Sequence, residues 1–249
     1  FWRPLASPDR ASVRLSRSPE GTLFAGTGAG LFASQDLGRS WQPRGSANRN
    51  VLPPLVTAEG ALLAGSYRQG VLRSTDGGRT WTSVGFERNV YTGSLVRDRE
   101  GRIYARARGA VEDEPTGIFR SDDDGRTWTA AGLADEEVYD VSIPRPGVLF
   151  AGTENGLFRS DDGGDTWSAA GELPSRAPLS EVVAHGGDLF ASMGAPLWRI
   201  PGGGVARSRD GGDSWEPTEG LPSEVAVQDL AVHGGTLFAA VGDLRRDEG

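Results

Sequence analysis

Short apolar runs, broken by Gly, Asp and Ser, recur along this chain in a fixed order. One kind reads Thr22-Leu23-Phe24-Ala25-Gly26, Val148-Leu149-Phe150-Ala151-Gly152, Asp188-Leu189-Phe190-Ala191-Ser192 and Thr236-Leu237-Phe238-Ala239-Ala240. A second kind precedes it across a Gly-rich turn, as in Val138-Tyr139-Asp140-Val141-Ser142-Ile143, Ser180-Glu181-Val182-Val183-Ala184 and Val227-Gln228-Asp229-Leu230-Ala231-Val232. Runs this short, bounded by turn residues, predict β-strands. Neighbouring apolar residues such as Leu157 and Phe158 then point to opposite faces, as expected of a strand covered on both sides.

Two further strands flank an octet, Ser-x-Asp-x-Gly-x-Ser/Thr-Trp, which occurs at Ser34 to Trp41, Ser74 to Trp81, Ser121 to Trp128, Ser160 to Trp167 and Ser208 to Trp215. The octet reads as a hairpin turn. Its carboxylates, Asp36, Asp76, Asp123, Asp162 and Asp210, are suited to accept backbone N–H groups of the turn. The Gly at the fifth position takes a positive φ without steric cost. Trp41, Trp81, Trp128, Trp167 and Trp215 are expected to carry apolar surface inward. These tryptophans fall 40, 47, 39 and 48 residues apart, one repeat per four-stranded blade. The expected fold is therefore an all-β propeller of four-stranded antiparallel blades, with six blades, or seven if the chain is an excerpt.

The octets resemble the Asp-box, or bacterial neuraminidase repeat, of sialidases, xyloglucanases, the sortilin ectodomain and the photosystem II assembly propeller. That resemblance covers nearly the whole chain and implies a bacterial, secreted or periplasmic propeller. Its members differ in activity, so it implies a fold and not a function. A single domain over residues 1–249 is expected, with the last blade shared between the termini. Phe1-Trp2-Arg3-Pro4 is similar to the fourth-strand segment Ser214-Trp215-Glu216-Pro217, and residues 225 to 241 supply a first and a second strand. The start shows no signal-peptide pattern, and the missing initiator Met points to a processed or excerpted chain.

Composition narrows the function classes. With 249 residues and no cysteine, the chain has neither a disulfide framework nor a thiolate metal site. A net charge of -8 disfavours nucleic acid as a partner. No apolar run is long enough to insert in a membrane as a helix. No glycine fingerprint for phosphates is present, and Asp122-Asp123-Asp124-Gly125 lacks the remainder of a calcium loop. His185 and His233 occupy equivalent His-Gly-Gly turns and read as structural. No metal or cofactor is expected, and a monomer is.

Binding loops should lie on the face away from the octets, between second and third strands and between blades. Arg106 to Gly117, a long loop by this reading, holds Arg106, Arg108, Glu112 and Asp113, and Met193 to Ala206 holds Trp198 and Arg199. Tyr67 and Arg68 lie in a short loop, while Arg88, Tyr91, Glu136 and Glu137 lie between blades. Arg and aromatic side chains suit a protein or glycan partner, so Tyr67, Arg68, Arg88, Tyr91, Arg106, Arg108, Trp198 and Arg199 form the expected binding set. A non-catalytic scaffold is the leading expectation. The alternative is a glycoside hydrolase using Glu112, Asp113, Glu136 or Glu137. Arg199-Ile200-Pro201 is similar to a sialidase motif, but its position before the last octet departs from that family.

Overall fold

The structure is a computed structural model that describes residues 14–18, 20–27, 30–45, 51–86, 90–109, 115–175, 179–194, 203–220 and 225–242. Every regular element among them is a strand, so no described helix is long and apolar enough to cross a membrane. The fold is a β-propeller with six antiparallel blades, five of them four-stranded and the sixth two-stranded among the described residues. Residues 1–130 and 131–249 form two compact units.

The first unit holds three blades, each a meander in chain order. They are β1 (Arg14–Arg17), β2 (Leu23–Thr27), β3 (Gly30–Ser34) and β4 (Gln42–Arg44); β5 (Leu55–Val56), β6 (Leu62–Gly65), β7 (Val71–Ser74) and β8 (Thr82–Val84); and β9 (Tyr91–Arg97), β10 (Ile103–Arg108), β11 (Gly117–Ser121) and β12 (Thr129–Ala130). The second unit holds β13 (Val138–Arg145), β14 (Val148–Thr153), β15 (Gly156–Ser160) and β16 (Ser168–Ala169); β17 (Leu179–His185), β18 (Asp188–Met193), β19 (Gly204–Ser208) and β20 (Glu216–Pro217); and the pair β21 (Ala226–His233) and β22 (Thr236–Gly242). Second strands carry the core, with Leu63, Ile103, Tyr104, Leu149, Phe150 and Leu189 almost wholly buried. On β22 the equivalent Phe238 is 46 % exposed. Residues 1–13 and 243–249, invoked above for a shared last blade, lie outside the described residues.

Each octet closes the turn between third and fourth strands with the same bonds. In the fourth copy Ser160 Oγ accepts the Gly164 N–H at 2.8 Å and donates to Asp162 Oδ1 at 2.8 Å. Asp162 in turn accepts the Thr166 N–H on Oδ1 at 2.9 Å and the Thr166 hydroxyl on Oδ2 at 2.6 Å. The buried member is the serine, about 1 % exposed, so it is the serine that satisfies the N–H inside the turn. The turn also places two successive residues at positive φ. Position four is Gly in three copies but Leu37 (φ 59°) and Asp124 (φ 63°) in the other two.

The tryptophans depart from a simple inward orientation. All five are half-buried, and those resolved in apolar clusters reach back onto the preceding blade. Trp81 packs with Phe24 and Leu31, Trp128 lies 5.9 Å from Phe86, and Trp215 meets Phe150 edge-on at 6.2 Å. Polar ties run the same way. Asp124 reaches from the third octet to the Thr57 hydroxyl at 2.7 Å and to Arg73 at 3.3 Å, both in the second blade. The Asp122-Asp123-Asp124 run is thereby accounted for, because Asp122 pairs with Arg120 and Asp123 is the turn acceptor.

Candidate ligand-binding site

The turn at 66–70 between β6 and β7 is fastened to the start of β9. Thr92, wholly buried, accepts the Ser66 N–H on its hydroxyl at 2.9 Å and donates that hydroxyl to Gly70 O at 2.6 Å. The Thr92 N–H donates to Ser66 O at 2.9 Å, and the Gly70 N–H donates to Val90 O at 3.1 Å. These bonds hold Tyr67 above Tyr91, with ring centroids 5.1 Å apart and planes tilted by 45°.

Arg106 completes a stack. Its guanidinium carbon sits 4.9 Å from the Tyr91 ring centroid, and Nη2 donates to Tyr91 Oη at 3.0 Å. The β9–β10 pairing brings this about through a bulge between Ala105 and Ala107, which places Gly93 beneath Arg106. A methyl group at Gly93 would stand 2.2 Å from Arg106 Nε. Arg108 is exposed two residues on, in register with Tyr91, and Arg68 is exposed beside Tyr67. Five of the expected binding residues thus share one end of the second and third blades, with Tyr67 49 % exposed as its most open aromatic.

Several expectations are revised. Arg106 and Arg108 belong to β10 rather than to a loop, because the strand continues four residues past Tyr104, and Tyr91 opens β9 rather than lying between blades. Met193 ends β18 and Gly204 to Ala206 belong to β19, so that loop is shorter than the alternation of Gly and apolar residues suggested. Arg88, Glu112, Asp113, Trp198 and Arg199 lie outside the described residues. Glu136 accepts the Asn155 side-chain N–H at 3.0 Å on an exposed turn, and the backbone carbonyl of neighbouring Glu137 accepts the Glu154 N–H. No group of acidic and histidine side chains able to hold a metal ion exists among the described residues.

Carboxyl groups do gather at a place not singled out above. Asp140, Glu181 and Asp229 stand at equivalent positions on β13, β17 and β21, each just after a bulge in its strand. Glu181 Oε2 accepts the Leu230 N–H at 3.0 Å across blades. Burial, with a hydrogen bond to the Asp229 carboxyl and the charge of Asp140 behind it, pushes the Glu181 carboxyl up to about 8. The signal for this cluster was an acid repeated at one place in three first strands.

The octet geometry has a counterpart in comparison. The BNR/Asp-box repeat family matches residues 158–169, and the same network recurs in all five octets. The chain is a β-propeller whose hairpin turns carry the Asp-box pattern. No curated protein matches this propeller in sequence. Among solved structures it is similar to the GH74 enzyme of Niastella koreensis at 20 % identity and a TM-score of 0.63, over 92 % of this chain and 41 % of that one. It is similar also to YCF48 bound to D1 peptide, at 16 % identity and a TM-score of 0.66, over 96 % of this chain and 79 % of that one. A Hadza microbial sialidase shares 18 % identity at a TM-score of 0.52, over 82 % of this chain and 57 % of the sialidase. The chain therefore spans less than half of the GH74 enzyme, and the likeness in each case is one of fold.

Proposed function

We propose that this Asp-box propeller is a binding module that offers the Tyr67–Tyr91–Arg106 stack to a protein or glycan ligand. The observation that carries the reading is the preorganisation of that stack, since a rigid aromatic and guanidinium surface loses little entropy when it is covered. A polypeptide is the favoured ligand. YCF48, one of the relatives in fold, has a D1 peptide bound and is matched over most of both chains.

Peptide and glycan arrays, followed by calorimetry on the hits, test the proposal. Tyr67→Ala and Arg106→Ala should each weaken a hit about tenfold or more, and the melting of Tyr67→Ala should match that of the parent. Binding unaffected by both substitutions would reject the site. Hydrolysis of a fluorogenic sialoside or β-glucan by the parent chain, abolished in Glu181→Gln, would replace the binding reading with a catalytic one.

A further inference from the structure

A second feature of the first unit lies at the other end of the first strands. Tyr91 opens β9 and Arg97 closes it, a separation of roughly 20 Å for an extended strand. Arg17 on β1, Val56 on β5 and Arg97 on β9 hold the same place in their blades, each immediately before the turn to the second strand. An open groove of about 440 Å³ lies among them, lined by Arg17 and Arg97 together with Pro54, Leu55 and Val56.

The two arginines that line this groove are exposed and carry no ion pair among the described residues, as is also true of Arg39 and Arg79 elsewhere in the unit. Arg73, Arg102, Arg120 and Arg126 each meet a carboxylate, whereas Arg17 and Arg97 have no acidic partner among the described residues. Asp98, next to Arg97, is engaged by the Arg102 N–H at 2.8 Å and by its guanidinium at 2.6 Å. Ser18 stands apart. The residues equivalent to it, Thr57 and Asp98, use their side chains both to cap the turn and to bind a further group. Ser18 Oγ accepts the Thr22 N–H at 3.2 Å, and its own proton has no acceptor among the described residues.

Two uncommitted guanidinium groups and a hydroxyl donor thus share a groove with apolar residues in a chain of net charge -8. We propose that this groove is a binding site for a small organic acid, with carboxylate groups on Arg17 and Arg97 and the hydrocarbon on Pro54, Leu55 and Val56. Guanidinium groups match carboxylates as planar forks, and the apolar lining residues favour an organic acid over an inorganic anion. The site is separate from the Tyr67–Tyr91–Arg106 stack and does not depend on its function.

Calorimetric titration at low ionic strength with glutarate, its uncharged diamide and inorganic phosphate tests the assignment. Glutarate should bind, the diamide should give no heat, and phosphate should bind at least several-fold more weakly. Arg17→Gln and Arg97→Gln, both exposed positions, should each weaken glutarate about tenfold with melting unchanged, while Arg39→Gln in the first octet should match the parent. Absence of glutarate binding at millimolar concentration, phosphate binding as tightly as glutarate, or equal loss in Arg39→Gln would overturn the proposal. If one Arg variant fails to fold, the other supplies the same reading.

Discussion

At the scale of single residues, the octet assigns its serine and aspartate different tasks. Serine is buried and gives the turn its interior acceptor, while aspartate is half-buried or exposed and ties the turn to the following hydroxyl residue. Ser160→Ala should therefore destabilise by about 1–3 kcal/mol, because the Gly164 N–H is left without a partner away from water. Urea denaturation reads this directly. The fourth octet position offers the reverse effect. Leu37 holds φ 59° with its side chain 63 % exposed, so Leu37→Gly removes steric strain and little packing. The gain should be about 0.5–1 kcal/mol after the entropy of the unfolded glycine is set against it, measurable as a higher denaturation midpoint. Gly93→Ala belongs to the candidate site. The added methyl would displace Arg106 from the Tyr91 ring, and ligand affinity should fall while the first unit stays folded.

At the scale of elements, the strength of the candidate site lies in how the 66–70 turn is fastened to β9. Thr92→Val keeps the shape of the buried side chain but removes the hydroxyl that serves both Ser66 and Gly70. It should raise hydrogen exchange at Ser66 and Gly70 and loosen Tyr67, with exchange unchanged in β15. Equal protection in parent and variant would show that the turn is held by other means. This level is also where the sequence stops being informative. Octet bonds join residues two to four positions apart, so residue type and spacing alone reveal them. The tyrosine and arginine stack depends on strand register and on the bulge between Ala105 and Ala107, which no local pattern announces. Arg106 and Arg108 were legible as candidates by type and by place in the repeat, but not as strand residues. Glu181 was hidden by its context, since an acid in a strand reads as an exposed position until a neighbouring blade covers it.

For the whole molecule, two sets of carboxyl groups act in opposite directions on stability. Hydrogen bonds from the hydroxyl and N–H of Ser40 and Thr166 hold Asp36 and Asp162 down to about 2, against an ordinary value of 3.8, and Asp76 and Asp210 are lowered by the same kind of contact. For Asp123 burial opposes the shift and is outweighed by Thr127 and Ser121, again to about 2. These depressed groups contribute stability that is present above pH 3.8 and is lost as pH falls toward 2. Glu181 is raised from 4.5 to about 8, so its contribution is complete below 4.5 and is lost as pH rises through 8. Stability should pass through a maximum near pH 4, and Glu181→Gln should flatten the decline between pH 4.5 and 8 while leaving the acid limb intact. Thermal melts across that range give the answer.

The tryptophans that reach back onto the preceding blade carry one more consequence. Trp128→Ala should destabilise by about 2–3 kcal/mol, less than for a wholly buried tryptophan, with the loss felt in the second blade through Phe86 as much as in the third. A chain emerging from the ribosome delivers each blade before the octet that roofs it. Phe24 waits for Trp81, Phe86 for Trp128 and Phe150 for Trp215. A nascent chain halted before Trp81, Trp128 or Trp215 therefore carries a finished blade whose aromatic is still uncovered.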